Sequence, residues 1–137
     1  MQISVDGVVL PNKPLSNLEI LDVARKISIP GFRGAFVRNR LPNKVNKNEC
    51  GILNLDDYYG SGTHWVAWFK RGEEKYYFDS YGVQPPGELM RYLKSPVVYN
   101  NERFQPTNEV FCGHLCLYVP KELLLSKRFQ DVINCLY

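Results

Sequence analysis

The sequence predicts an α+β domain: a small, mostly antiparallel central sheet flanked by helices. Three observations carry that prediction. A capped amphipathic helix opens the chain, two strands joined by a tight turn occupy its middle, and helical segments close it. The 137 residues suit one domain with a single core, so residues 1–137 are read as one unit. There are nine Tyr, seven Phe and two Trp, enough large apolar rings to fill a small packed sheet.

The elements follow in chain order. Residues 1–10 alternate around Asp6-Gly7 and predict a short hairpin. Ser16-Asn17-Leu18-Glu19 is a capping-box pattern. It starts a helix through Ile20, Leu21, Val23, Ala24 and Ile27 that Pro30-Gly31 ends. Residues 31–49, rich in Gly, Pro, Asn and Lys, read as an extended surface connection. Cys50 to Leu55 is a compact apolar run, expected as a buried strand. Asp56 to Gly62 reads as a loop. His64 to Lys70 and Lys75 to Asp79 read as strands joined at Arg71-Gly72-Glu73-Glu74. Pro85-Pro86 opens a short helix, Val97 to Tyr99 is a short strand, and Asn100 to Phe111 is a polar loop. A helix begins at Cys112, with Pro120 expected to kink or restart it, and Lys127 to Leu136 forms the last helix.

Bulk properties exclude several classes. No apolar run approaches the roughly 18 residues that span a bilayer, so no membrane partner is expected. Met1 to Val5 has neither a basic nor an apolar leader region, and no secretory signal is read there. The four cysteines, at 50, 112, 116 and 135, are unevenly spaced and are expected as reduced thiols in an intracellular protein. The net charge of +3 comes from scattered basic residues, which read as a solvated surface; it permits a nucleic-acid or acidic partner but does not argue for one.

Four residues could do chemistry together. Cys112 stands where a loop turns into a helix, whose positive end favours thiolate. Gly113 behind it permits close backbone approach, so the Cys112 amide could face a carbonyl oxygen. His64, with an unperturbed pKa of about 6.5, suits a general base. Antiparallel pairing would bring Asp79 to the same end of the hairpin, able to orient the imidazole. Gln105 could donate to an oxyanion alongside the Cys112 amide. Each has a plainer reading alone: Cys112 as a small buried hydrophobe, His64 as a packing residue, Asp79 in a turn, Gln105 solvated.

Three segments in one register resemble the adenovirus-type cysteine protease family (adenain), related in fold to the SUMO and ubiquitin-like proteases. They are Cys50-x-Ile52-x-Asn54 followed after nine residues by His64-Trp65, then Tyr77-Phe78-Asp79-Ser80-Tyr81-Gly82, then Gln105-x-x-Asn108-x-x-x-Cys112-Gly113-x-x-Cys116. The resemblance implies a papain-like or adenain-like cysteine protease architecture. Cys112 would be the nucleophile, His64 the base, Asp79 the orienting acid, and Gln105 with the Cys112 amide the oxyanion hole. It makes Trp65 a wall beside the imidazole and associates Asn54 and Gly113 with the substrate groove. The family often has Glu where Asp79 stands. Its adenovirus enzyme joins a peptide through a cysteine between the acid and the glutamine, and this chain has none there.

The resulting expectation is a monomeric thiol endopeptidase, without cofactor, that cleaves Gly-containing sites in structural precursor proteins of a virus or virus-like element. DNA or a peptide remains open as an activator. The expected location is the nucleus or cytoplasm of a host cell, or packaging in a virion. An isopeptidase for ubiquitin-like tails is the alternative enzyme, and an inactive binding module of the same fold the alternative outside catalysis. A zinc site of Cys112, His114 and Cys116 with His64 or Cys50 is the metal rival; it has only one cysteine pair, inside a helix, where zinc knuckles usually show two.

Overall fold

The computed structural model describes residues 4–11, 13, 15–55, 64–94, 96–102, 112–125 and 128–134. The expected loop over Asp56 to Gly62 and most of the expected loop from Asn100 to Phe111, Gln105 and Asn108 included, lie outside the described residues, as does Cys135.

The chain opens with a hairpin, β1 (Ser4–Val5) and β2 (Val8–Val9), paired antiparallel. Asp6 and Gly7 at its tip have φ of 51° and 82°, the positive values that a tight hairpin turn demands. Helix α1 (Asn17–Lys26) starts in a complete capping box. Ser16 Oγ accepts from the Glu19 amide at 3.2 Å, and Glu19 Oε1 accepts from the Ser16 amide at 2.9 Å. Its Ile20, Val23 and Ala24 face the core.

Five strands form the main sheet: β3 (Phe32–Val37), β4 (Asn48–Asn54), β5 (Trp65–Arg71), β6 (Glu74–Phe78) and β7 (Val98–Tyr99), side by side in that order. The three central strands pair antiparallel, while β3 and β7 join the edges in parallel. Helix α2 (Gly87–Leu93) covers one face, its Leu89 and Leu93 packed with Leu53, Val66, Trp68 and Tyr77. Helices α1, α3 (Cys112–Leu123) and α4 (Phe129–Asn134) cover the other, around Ile52, Ala67, Phe69 and Phe78. Burial on both faces explains the compact apolar run from Cys50 within β4 and the apolar residues between Trp65 and Trp68 in β5.

Two expectations need revision. The stretch at 31–49 is not all surface connection, because Phe32–Val37 is an edge strand parallel to β4. An irregularity between Phe32 and Ala35, where Gly34 has φ of 131°, breaks the period of two. Phe32 and Ala35 therefore pack on one face and Phe36 on the other, which hides the strand from a pattern reading. Of the two alternatives at Pro120, a kink or a restart, the restart does not occur, because α3 runs on to Leu123 as one helix.

One buried carboxylate ties the far end of the sheet together. Glu49 Oε1 accepts from the Asn46 amide at 2.6 Å and from Arg33 at 2.8 Å. Its Oε2 accepts from Trp68 Nε1 at 2.8 Å and from the Tyr92 hydroxyl at 2.7 Å. Four donors from β3, the β4 approach, β5 and α2 thus replace the water this side chain loses. Gly51, opposite Trp68 in the register, leaves room for the indole; a Cβ there would meet the ring at 2.4 Å. With Trp68 pinned at its nitrogen the ring has no easy retreat. Gly51→Ala is therefore expected to destabilise the fold by about 1–3 kcal/mol. Urea denaturation measures this, and an unchanged midpoint would show that the indole can yield.

Candidate active site

The hairpin of β5 and β6 positions the first two groups. His64 immediately precedes β5 and Asp79 immediately follows β6; with the strands antiparallel, both stand at one end of the ribbon. The backbone of His64 is held by its carbonyl, which accepts from the Leu55 amide at 3.0 Å. Its Nε2 lies 2.7 Å from Asp79 Oδ1, a short hydrogen bond away from water, with Asp79 wholly buried.

Asp79 is held in turn. Its Oδ1 also accepts from the Tyr81 amide at 2.8 Å, so the side chain folds back on its own turn. Asn100 clamps its backbone from both sides: the Asp79 amide donates to Asn100 Oδ1 at 3.0 Å, and Asn100 Nδ2 donates to the Asp79 carbonyl at 2.6 Å. Gly82, with φ of 71°, closes the turn against the backbone of Glu102, where a Cβ would collide at 2.7 Å.

Cys112 is the first residue of α3 and is buried. Its Sγ accepts from the Trp65 amide at 3.5 Å, in addition to standing at the positive end of a 12-residue helix. Gly113 allows that approach. A Cβ there would press on Leu15 and on Trp65 Cδ1, both at 3.3 Å. The indole of Trp65 is locked by Nε1 donating to the Leu15 carbonyl at 2.9 Å. The start of α3, the start of β5 and the approach to α1 are therefore one packed unit.

The imidazole feels both neighbours. Burial alone would lower its pKa. The hydrogen bond to Asp79, that to Cys112 and the charges on both outweigh burial and push it up to about 9. With Nε2 engaged by Asp79, Nδ1 is the ring nitrogen left for the thiol, and it has no other hydrogen-bond partner. The arrangement can hold a thiolate beside an imidazolium, with the carboxylate behind.

The other described thiols and the other histidine are different in kind. Cys50 is pushed up to about 12 by burial and the adjacent Glu49 charge. Cys116 is raised well above the usual thiol range by burial and by Cys112 and Asp79. His114 is fully buried with Nε2 2.6 Å from the Pro11 carbonyl, and burial lowers its pKa against the pull of that carbonyl and of Glu19. It ties α3 to the N-terminal segment. Among the described residues, no group of three or more His, Cys, Asp and Glu side chains is arranged to hold a metal ion.

Of the residues singled out from sequence, His64, Trp65, Asp79, Cys112 and Gly113 are thus brought together. Asn54 is buried on β4 directly opposite Trp65. Gln105 lies outside the described residues. Two contributors were not anticipated: Asn100, which sat unmarked in a polar stretch, and Tyr81, whose ring stacks on His64. An Asx-turn reading of Asp79-Ser80-Tyr81 would have flagged the Tyr81 amide, but nothing local marks the stack.

The raised imidazole pKa has a stability consequence. In the native state His64 keeps its proton up to about pH 9, whereas an unfolded histidine releases it near 6.5. Native protein binds more protons between those values, so this group's contribution is complete below pH 6.5 and falls as pH rises toward 9. NMR titration is expected to show His64 titrating well above an ordinary histidine, and Asp79→Asn should bring it back toward the ordinary range. An identical midpoint in the variant would remove the carboxylate as a cause.

No family model and no curated protein matches the chain. Solved structures do. The chain superposes on the crystal structure of the ASFV pS273R protease with a TM-score of 0.63 at 21% sequence identity, and on its selenomethionine form with 0.61 at 22%. Each match takes in 90% of this chain and 62% of that chain, so this chain spans less than two thirds of that protein's length. The sheet and its flanking helices are therefore a fold shared with a protease of ASFV.

Proposed function

We propose that the chain is a thiol endopeptidase of viral type. The observation that carries this reading is the convergence of Cys112, His64 and Asp79 from three separate elements, with a 2.7 Å bond between imidazole and carboxylate. The fold shared with a viral protease supports it, as does the adenain-like register of the three sequence segments.

In this reading Cys112 attacks the scissile carbonyl as thiolate, forming a tetrahedral intermediate. His64, as imidazolium, gives its proton to the departing amine. It then takes a proton from the water that hydrolyses the thioester. Asp79 holds the ring in the orientation that keeps Nδ1 toward sulfur. The Cys112 amide and the Gln105 side chain receive the negative charge on the carbonyl oxygen. Trp65 narrows the entrance, which favours glycine at the two positions before the cleaved bond. The substrates are structural precursor proteins of a virus or virus-like element, and DNA or a peptide is the class of activator to test.

Cys112→Ala is expected to reduce cleavage of a peptide carrying a Gly-Gly junction by on the order of a thousand-fold or more, with an unchanged circular dichroism spectrum. Iodoacetamide near pH 6 should alkylate Cys112 before Cys50 or Cys116, whose thiols burial holds protonated. Cleavage by Cys112→Ala at a comparable rate would end the proposal.

A further inference from the structure

A catalytic imidazole is only as well placed as the backbone that presents it. The His64 carbonyl accepts from the amide of Leu55, the residue that follows β4, at 3.0 Å. A bond one step past the end of a strand frays unless something holds it from outside. Arg38, the residue that follows β3, supplies that hold: its Nη1 donates to the Leu55 carbonyl at 3.2 Å. The guanidinium is in turn fixed by α2. Its Nε donates to Glu88 Oε2 at 3.1 Å and its Nη2 to Glu88 Oε1 at 3.0 Å, a two-pronged pair. Glu88 lies in the first turn of α2, on the chain that leaves the Asp79–Gly82 turn. One side chain therefore ties the backbone bonded to the base to the helix that follows the acid.

We propose that Arg38 is a positioning residue for the catalytic base, bracing the Leu55 backbone that holds His64 against Glu88 of α2. The proposal rests on the thiol-protease reading above and adds to it a residue that acts on the base only through Leu55. The Arg38 and Glu88 side chains are 37% and 30% exposed, and ion pairs at such exposure contribute little to global stability. What this pair fixes is geometry, and a displacement on the order of 1 Å at a catalytic group can cost 100-fold in rate. The brace needs a guanidinium. Its three bonds leave from three different nitrogens toward two residues, which the single nitrogen of a lysine cannot copy. The hydrogen bond from Arg38 also holds the Glu88 carboxyl below the usual carboxylate range, so the pair stays ionised at neutral pH.

The test compares Arg38→Lys and Glu88→Gln with wild type in the full chain, by steady-state cleavage of a Gly-Gly peptide and by amide hydrogen exchange. In Arg38→Lys the kcat should fall about ten-fold with KM little changed. Glu88→Gln keeps an acceptor but loses the charge, and its kcat should lie between the two. Exchange at the Leu55 amide should quicken about ten-fold in Arg38→Lys. Gly51 and Trp68, paired deeper in β4 and β5, should keep their wild-type rates. The thermal midpoint should move by no more than about 5 °C. A folded Arg38→Lys protein with wild-type kcat and wild-type Leu55 exchange would overturn the proposal. So would faster exchange at Gly51 and Trp68 alongside Leu55, the mark of a general loosening. A raised KM at unchanged kcat would overturn it too, since that marks a substrate contact. If the wild-type protein cuts no peptide and Cys112 does not react with iodoacetamide, the protease reading fails, while Leu55 exchange still decides whether Arg38 braces the backbone of His64.

Discussion

A single hydrogen bond of 2.7 Å between His64 and Asp79 organises this molecule's chemistry. It is buried, so neither group can turn to water instead. A buried carboxylate without a partner would cost several kcal/mol, and a buried imidazole without one would lose its charge. Against the effect of burial, the bond raises the imidazole's pKa and so favours a protonated ring beside the thiol. The rest of the fold near the site serves to hold this bond in place. Asn100 grips the acid's backbone, the Tyr81 amide shares its oxygen, and the β5–β6 register brings the two residues to one end of the ribbon.

The same sheet is anchored at its other end by a different device. Glu49 gathers four donors from the surrounding elements and fastens Trp68, which lies over Gly51 with no space to spare. Strand β5 is thus pinned at its start by Trp65 on Leu15 and at its middle by the Trp68 indole. Rigidity of this kind matters to covalent catalysis, because a misplacement on the order of 1 Å can cost 100-fold in rate. Gly113 contributes by subtraction. Without a side chain it lets α3 seat its first turn against Trp65, and the Trp65 amide then reaches Cys112 sulfur.

Much of this was legible in the sequence because it is written in short range. The Ser16–Glu19 cap, the Asp6-Gly7 turn and the β5–β6 hairpin depend on residues close together in the chain, and local chemistry decides them. The hairpin in turn predicted the meeting of His64 and Asp79. What escaped was long-range or negative. The edge strand β3 is recruited by pairing with β4, and a break in register scrambles its alternation. Asn100 acts 21 residues away from the acid it clamps, and Tyr81 stacks through a turn geometry that no period encodes. Pro120 reads as a kink or a restart; the helix does not restart there, and packing against the sheet and α4 carries it past the missing amide.

The central claim is that one sulfur, activated by one imidazole, is the group that meets the peptide carbonyl. Its most direct test is covalent capture with a peptide ending in Gly-Gly and carrying a vinyl sulfone at its C-terminus, followed by intact-mass measurement and peptide mapping. The account predicts a single adduct on Cys112 in the wild-type protein and almost none when His64 is replaced by Ala. Labelling spread over Cys50 and Cys116, or capture at Cys112 that is indifferent to His64, would contradict it.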